Sequence, residues 1–312
     1  KILRREIQHL GFENSFTIYD QTDSLSLIKT IMKELGIDVK ANNPRAVRTF
    51  ISGAKNELIG AKDYSQYAES YFQENVGKVY QEYQKRLKKA NALDFDDLLV
   101  FTVELFENKE ILEKYQEIFH YILVDEYQDT NEVQYRLVKK LAEKRKNICV
   151  VGDDWQSIYG FRGANFRNIL NFERDYPQAK VVKLEENYRS TANILNAANA
   201  IIKNNKKRSD KNLWTKKEAG SPIMIYEAED QHDEIRFVID EIEGMLPLYK
   251  TYDNFVILYR TNAQSRVIEE VLLERGAPYR IVGAVEFYQR KEIKDILAYL
   301  KLIANLDDEV AL

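Results

Sequence analysis

Cysteine is nearly absent: Cys149 is the only one in 312 residues. A lone cysteine cannot close an internal disulfide, so a reducing, cytoplasmic compartment is expected. Inside the apolar run NICVV, Cys149 reads as a small buried hydrophobe. Histidine is also scarce, and His9, His120 and His232 are too scattered for a Cys/His metal cluster. No apolar run approaches the ~18 residues that span a bilayer, so no membrane partner is expected. The opening KILRREIQHLGF has neither an initiator Met nor a signal-peptide core. It reads as the middle of a longer chain, and the closing LIANLDDEVAL has no stop signal. Positive charge is not in excess. The net charge of −4 excludes a uniformly basic nucleic-acid coat, although residues 180–217 gather ten Lys/Arg against three Asp/Glu.

What is present divides into two styles. The first ninety or so residues carry helical patterns and almost no strand signal. They comprise Ser24–Ile37, a segment opening on Pro44, and a long stretch ending near Asn91 whose aromatics Tyr71, Phe72, Tyr80 and Tyr83 read as core. A helix is expected over Leu93–Phe106. Short apolar runs then alternate with helical patterns. FHYILVDE, NICVVGD and KVVKLEENY read as strands, with helices TNEVQYRLVKKLAEK and NFRNILNFERDY between them. Further strands PIMIYEA, NFVILYRT and PYRIVG follow, separated by a helix with Ser190 as N-cap and by helices around Glu229–Met245 and AQSRVIEEVLLERG, and KEIKDILAYLKLI closes the chain. This alternation implies βαβ units and parallel sheets.

The chemistry sits at strand ends. ILVDEYQDT delivers Asp125 and Glu126 to the edge where open α/β sheets bind ligands. One carboxylate suits a hard cation such as Mg²⁺, and the second can orient a water. VVGDDWQSIYGFRGAN places Asp153, Asp154 and Gln156 at the same edge of a parallel sheet. LEENYRS brings Tyr188, whose ring can stack on a base, and Arg189, which can neutralise phosphate. Together they describe a nucleotide site. Tyr159, Phe161 and Arg162 fit another ligand, because aromatics in a Gly-punctuated loop can stack on unpaired bases. A polymerase-type reading of GDD fails, because a helix pattern follows rather than a strand.

DEYQDTNEVQY, GDDWQSIYGFRGAN, LEENYRST and ILYRTNAQSR resemble, in order and spacing, motifs of superfamily 1A DNA helicases of the UvrD/PcrA/Rep group. The resemblance covers essentially the whole chain. It implies P-loop NTPase (RecA-like) parallel-sheet α/β domains with an inserted all-helical subdomain, both RecA-like domains being incomplete: a helical 1B-like subdomain at 1–92, part of domain 1A at 93–183 and part of 2A at 184–312. It implies ATP and Mg²⁺ as cofactors, and ATP-dependent 3′ to 5′ unwinding with single-stranded DNA and single/double-strand junctions as partners. By motif position, Asp125 would hold Mg²⁺, Glu126 would activate water, Gln128 would support them and Gln156 would sense the γ-phosphate. Tyr188 would stack on adenine and Arg189 would contact the γ-phosphate. Tyr159, Phe161, Arg162, Arg260, Asn262 and Phe95 (in LDFDD) would meet DNA. Phe161 replaces a frequent Trp, and Trp155 replaces a small or acidic residue and has no assigned role. None of the twelve glycines opens a GxxxxGK[ST] loop, and the family's last two motifs are missing. The chain is therefore expected to be inactive alone. A non-catalytic single-stranded DNA-binding module and the helicase subunit of a helicase-nuclease are the alternatives.

Overall fold

Short polar side chains start most of the helices. In the computed structural model, which describes residues 1–206, 208–282 and 295–300, the elements of the first part are α1 (Leu3–Glu6), β1 (Thr17–Tyr19), α2 (Gln21–Glu34), α3 (Pro44–Asn56), α4 (Tyr71–Lys89), β2 (Ala92–Asp94), α5 (Phe95–Leu105) and α6 (Lys109–Ile118). They are followed by β3 (Ile122–Val124), α7 (Glu132–Ala142), β4 (Ile148–Val150), α8 (Arg167–Leu170) and α9 (Phe172–Asp175). Then come α10 (Ala192–Ile202), α11 (Gln231–Tyr249) and α12 (Gln264–Glu274). Asp20, Asn43, Ser70, Asp94, Asn108, Asn131 and Asp230 each accept a first-turn backbone N–H, satisfying donors that have no partner inside the helix. At α2, α5 and α7 the third helical residue returns the bond, closing a capping box.

The chain forms two compact units. One holds Lys1–Glu185 with the described residues of 200–212 and the helical 295–300; the other holds Glu186–Asn199 and 213–282. The first unit has two cores. Ile28, Ile31 and Met32 of α2 pack with Ile51 of α3 and Val76, Val79 and Tyr83 of α4. Leu3, Ile7 and Phe16 pack with Leu93, Leu105, Phe106 and Tyr115 around α5 and α6. Two parallel ladders complete it: β1 with β2, Tyr19 opposite Asp94, and β3 with β4, Val124 opposite Val150. In the second unit, Ile235 and Ile239 of α11 meet Ile268, Val271 and Leu272 of α12.

Several expectations are corrected. Helix α2 starts at Gln21 under Asp20, not at Ser24, because the Asp20–Asp23 box fixes its first turn. Strand β1 lies in a region read as all helix. Leu93 and Asp94 belong to β2 rather than to the helix that follows. Tyr80 and Tyr83 are core, but Tyr71 stands 73% exposed at the first residue of α4. Helix α10 begins at Ala192, two residues after Ser190. KVVKLEENY forms no ladder beyond a single bridge from Glu186 to Trp214. PIMIYEA, NFVILYRT and the described residues of PYRIVG also form none, and Ile225 and Leu258 are almost fully exposed. Apolar alternation proposes a strand, but only a neighbouring strand supplies its hydrogen bonds. Cys149 is exposed rather than buried. It pairs with Leu123 in the β3–β4 register, on the face where Leu123 is 78% exposed. Most of KEIKDILAYLKLI lies outside the described residues; 295–300 are helical.

Candidate nucleotide and DNA site

Strands β3 and β4 run in parallel, so their C-terminal ends meet at one edge. There the two exits are stitched together by backbone: Val151 N–H donates to the Val124 carbonyl (2.8 Å), and Tyr127 N–H to the Val151 carbonyl (3.0 Å). Asp125 and Glu126 are both exposed. Asp125 Oδ1 accepts the Glu126 N–H at 2.9 Å. Glu126 takes a left-handed φ of +50°, a conformation uncommon outside glycine and enriched in turns. That twist ends the strand and lets two consecutive carboxylates leave at the same edge.

Gln128 is the hinge pin of this edge, buried to 1% exposure. Its Nε2 donates to Glu126 Oε2 at 2.7 Å, while its Oε1 accepts the Asp153 N–H at 2.9 Å. One amide thus spans the exits of both strands. Gly152 makes the approach possible, since a Cβ there would lie 2.5 Å from Gln128 Oε1 and 2.8 Å from Ile169 Cδ1. Asp153 continues the chain of bonds: its Oδ2 accepts from Gln156 Nε2 at 2.7 Å, and its Oδ1 accepts the Trp155 N–H at 2.9 Å. Glu126, Gln128, Asp153 and Gln156 form one hydrogen-bonded series, with Asp125 joined through the Glu126 backbone.

Trp155, which the sequence left without a role, acts as a fastener. Its indole Nε1 donates to the Ser209 carbonyl at 3.2 Å. Asp154 receives the Ser209 N–H (2.6 Å) and hydroxyl (2.5 Å), and Lys211 Nζ at 3.2 Å. Lys211 also pairs with Asp153 and lies 4.8 Å from the Trp155 ring centroid. Burial works against the charge of Asp154, but Ser209 and Lys211 outweigh it and hold the carboxyl below its ordinary range. Ser209 and Lys211 escaped the sequence reading. The only signal for Lys211 was its membership of the basic window 180–217, which does not say which acid it meets.

Beyond Gln156 the chain enters the aromatic loop. Tyr159 and Phe161 have ring centroids 6.0 Å apart, and Phe161 is 71% exposed. The Arg162 guanidinium carbon lies 5.1 and 5.5 Å from the two rings, within cation–π range. Tyr159 is at the margin of exposure, so it does not pack under the loop as a core residue. The loop closes at Gly163, whose φ of +86° favours glycine, and is tied down where Asn165 N–H and Asn168 Nδ2 donate to the Thr130 carbonyl (2.9 and 3.1 Å). Phe95 is 56% exposed at the first residue of α5.

The remaining predicted residues lie on the second unit. Tyr188 is exposed, and its hydroxyl donates to Glu186 Oε2 at 3.0 Å. Arg189 N–H donates to Asn187 Oδ1 at 3.0 Å, and its carbonyl accepts Lys217 Nζ at 2.9 Å. Arg260 and Asn262 sit at the entry to α12: Gln264 Oε1 accepts the Arg260 N–H (3.0 Å), and the Asn262 carbonyl accepts the Ser265 hydroxyl (2.8 Å). Tyr188 and Arg189 precede α10 on a segment without a ladder, so the expected third strand end is a turn instead.

Among the described residues, no three His, Cys, Asp or Glu side chains converge as a metal site. Mg²⁺ at nucleotide sites takes one or two protein carboxylates and completes its shell with phosphate and water. An exposed Asp125 beside an exposed Glu126 fits that donor set.

Residues 1–177 match the UvrD/REP helicase N-terminal domain, and residues 182–312 the UvrD-like helicase C-terminal domain. The chain belongs to the UvrD/REP helicase family. Membership makes its α/β parts RecA-like P-loop folds, and the short parallel ladders are consistent with incomplete domains. The ATP-dependent DNA helicase PcrA of Bacillus subtilis (strain 168) is 52% identical over 313 residues, covering all of this chain and 42% of that protein. PcrA proteins of Staphylococcus epidermidis and Staphylococcus aureus are also 52% identical, with 43% of their length covered. The chain thus spans less than half the length of the curated relatives it matches. No helix among the described residues is long and apolar enough to cross a membrane.

Proposed function

We propose that the full-length protein is an ATP-driven DNA helicase and 3′ to 5′ translocase, and that this chain carries half of its ATP site and part of its DNA track. The observation that carries the reading is the unbroken series Glu126–Gln128–Asp153–Gln156, which runs into an exposed aromatic loop within five residues of Gln156. In this reading 1–92 is the helical subdomain, 93–183 part of the first RecA-like domain and 184–312 part of the second. ATP and Mg²⁺ are the cofactors, single-stranded DNA and its duplex junctions the substrates, and the reducing cytoplasm the compartment.

Bound Mg²⁺ would neutralise phosphate charge, with Asp125 as its protein carboxylate. The chain's own residues would do the rest. Glu126 takes the proton of the attacking water, and Gln128 fixes its orientation by holding Oε2. Gln156 exchanges Asp153 for the terminal phosphate, a change that only Ser157 and Ile158 separate from Tyr159. The rings of Tyr159 and Phe161 hold a base, and Arg162 contributes charge beside them. Tyr188 and Arg189 would serve the nucleotide, and Arg260 and Asn262 the DNA.

The test compares two proteins. The full-length protein should hydrolyse ATP faster when oligo(dT) is added, while residues 1–312 alone should show negligible hydrolysis for want of the phosphate-cradling lysine. Helicase-like hydrolysis by residues 1–312 alone would overturn the division of the site. DNA binding without hydrolysis in the full-length protein would favour a passive binding module.

A further inference from the structure

Helix α3 carries none of the residues assigned to ATP or DNA, yet its last two residues contact residues that flank three of the segments that do so in the first unit. Lys55 is buried to 1% exposure and places Nζ 2.6 Å from Asp94 Oδ2 and 2.7 Å from Asp97 Oδ1. Those two aspartates form the capping box of α5, and Phe95 stands between them. Tyr83 donates to Asp94 at 3.1 Å and Gln84 to Asp97 at 3.1 Å, and the Ser52 hydroxyl bonds Asp96. All three acids that bracket Phe95 are therefore held by α3. The next residue, Asn56, meets different partners. Its Oδ1 accepts Asn131 Nδ2 at 2.7 Å, and Asn131 caps α7 directly after the Asp125–Thr130 loop. Its side chain also backs Gly163, where an added Cβ would sit 3.6 Å from Asn56 Cβ. Gly163 closes the loop that presents Phe161.

We propose that Ser52, Lys55 and Asn56 form a positioning clamp that fixes the Phe95 and Phe161 platforms relative to each other, so that both engage one stretch of single-stranded DNA. The inference rests on the DNA-binding reading above. A helix is stiffer than the loops it touches, so two adjacent residues on it transmit the place of one platform to the other. A buried lysine shared by two carboxylates is an expensive way to gain stability, since burial penalises all three charges. It is a directional way to fix where Phe95 points.

The experiment uses the full-length protein and a fluorescent oligo(dT), reading affinity by anisotropy, the KM for DNA and the kcat of DNA-stimulated hydrolysis, and the thermal midpoint. Asn56→Ala should weaken binding and raise the KM for DNA roughly fivefold to tenfold, with kcat at saturating DNA and the thermal midpoint little changed. In a Phe161→Ala background, Asn56→Ala should add little, because the platform it positions is gone. Lys55→Met should weaken DNA binding and Lys55→Arg restore it, since a guanidinium can still serve two carboxylates. Full additivity of Asn56→Ala with Phe161→Ala, or a loss confined to the thermal midpoint, would overturn the clamp while leaving the DNA reading intact. Unchanged binding in Phe161→Ala and Phe95→Ala would overturn both.

Discussion

Two lysines in the first unit each serve two aspartates, and their surroundings differ sharply. Lys55, Asp94 and Asp97 are sealed inside, backed by Tyr83 and Gln84. Lys211, Asp153 and Asp154 lie at the proposed nucleotide edge, where Asp153 keeps 23% and Lys211 14% of its side chain in water and only Asp154, at 5%, is buried. The buried trio has no solvent to replace a lost partner, so its geometry is fixed. Within the edge trio Asp153 keeps the most contact with water and can exchange a partner more cheaply than the buried aspartates, while Asp154 stays anchored by Ser209. That difference suits one to position the proposed DNA platform and Asp153 of the other to respond if nucleotide binds as proposed.

The largest expected effect comes from breaking the buried trio. Lys55→Met leaves two carboxyls facing each other without a counter-charge and should cost about 3–5 kcal/mol of stability in the first unit, read as a drop in the urea midpoint. A loss under about 1 kcal/mol would mean that the trio is no more committed than a surface pair.

A pH series sharpens the contrast. Burial, opposed by Lys55 and reinforced by the charge of Asp94, pushes Asp97 up to about 7, against roughly 3.9 in an unfolded chain. The fold therefore holds this proton more tightly than the unfolded chain does. The stability that Asp97 contributes is complete below about pH 4 and is lost as pH rises through about 7. Asp94 is held below its ordinary value despite its burial, mainly by Lys55, and has completed its opposite change by about pH 5. Between about pH 5 and about pH 8, wild type should lose stability relative to Asp97→Asn. Parallel profiles would contradict the burial argument.

Smaller effects belong to the edge trio. Lys211→Ala should lower stability by about 1.5–3 kcal/mol, less than Lys55→Met because Ser209 still donates twice to Asp154, yet alter the ATP dependence of hydrolysis, because Asp153 then holds Gln156 without its second anchor. Trp155→Phe removes one indole hydrogen bond and should cost about 0.5–1.5 kcal/mol. A destabilisation as large as that of Lys55→Met in either variant would erase the distinction between the two trios.

The same contrast explains what could be read from residues alone. Apolar runs ending in acids announce β3 and β4, because a strand and its exit are local. The capping boxes of α5 and α7 are equally local, four residues each, but neither is part of the sequence expectation, in which the helix of α5 starts at Leu93, ahead of its Asp94 cap. The β1–β2 ladder was invisible: its strands have three residues each and their partners lie 75 positions apart. Lys55 looked like one more helical lysine, since nothing near it in sequence hints at Asp94 or Asp97. The carboxylates and amides of the proposed nucleotide edge were legible as residue types. Their joining by Gln128 depends on the closeness that Gly152 permits, and Trp155 became intelligible only beside Ser209 and Lys211. Strands expected from apolar alternation in the second unit did not form ladders, because the pattern does not name a hydrogen-bonding neighbour.

The most direct test of the account is Glu126→Gln in the full-length protein, assayed for DNA-stimulated ATP hydrolysis alongside oligo(dT) affinity. The change preserves the size of the side chain and removes the base. Hydrolysis should fall by roughly 10²-fold or more, with DNA affinity kept within about twofold because the aromatic loop is untouched. Hydrolysis at the wild-type rate would contradict the assignment of the β3 edge as the catalytic centre.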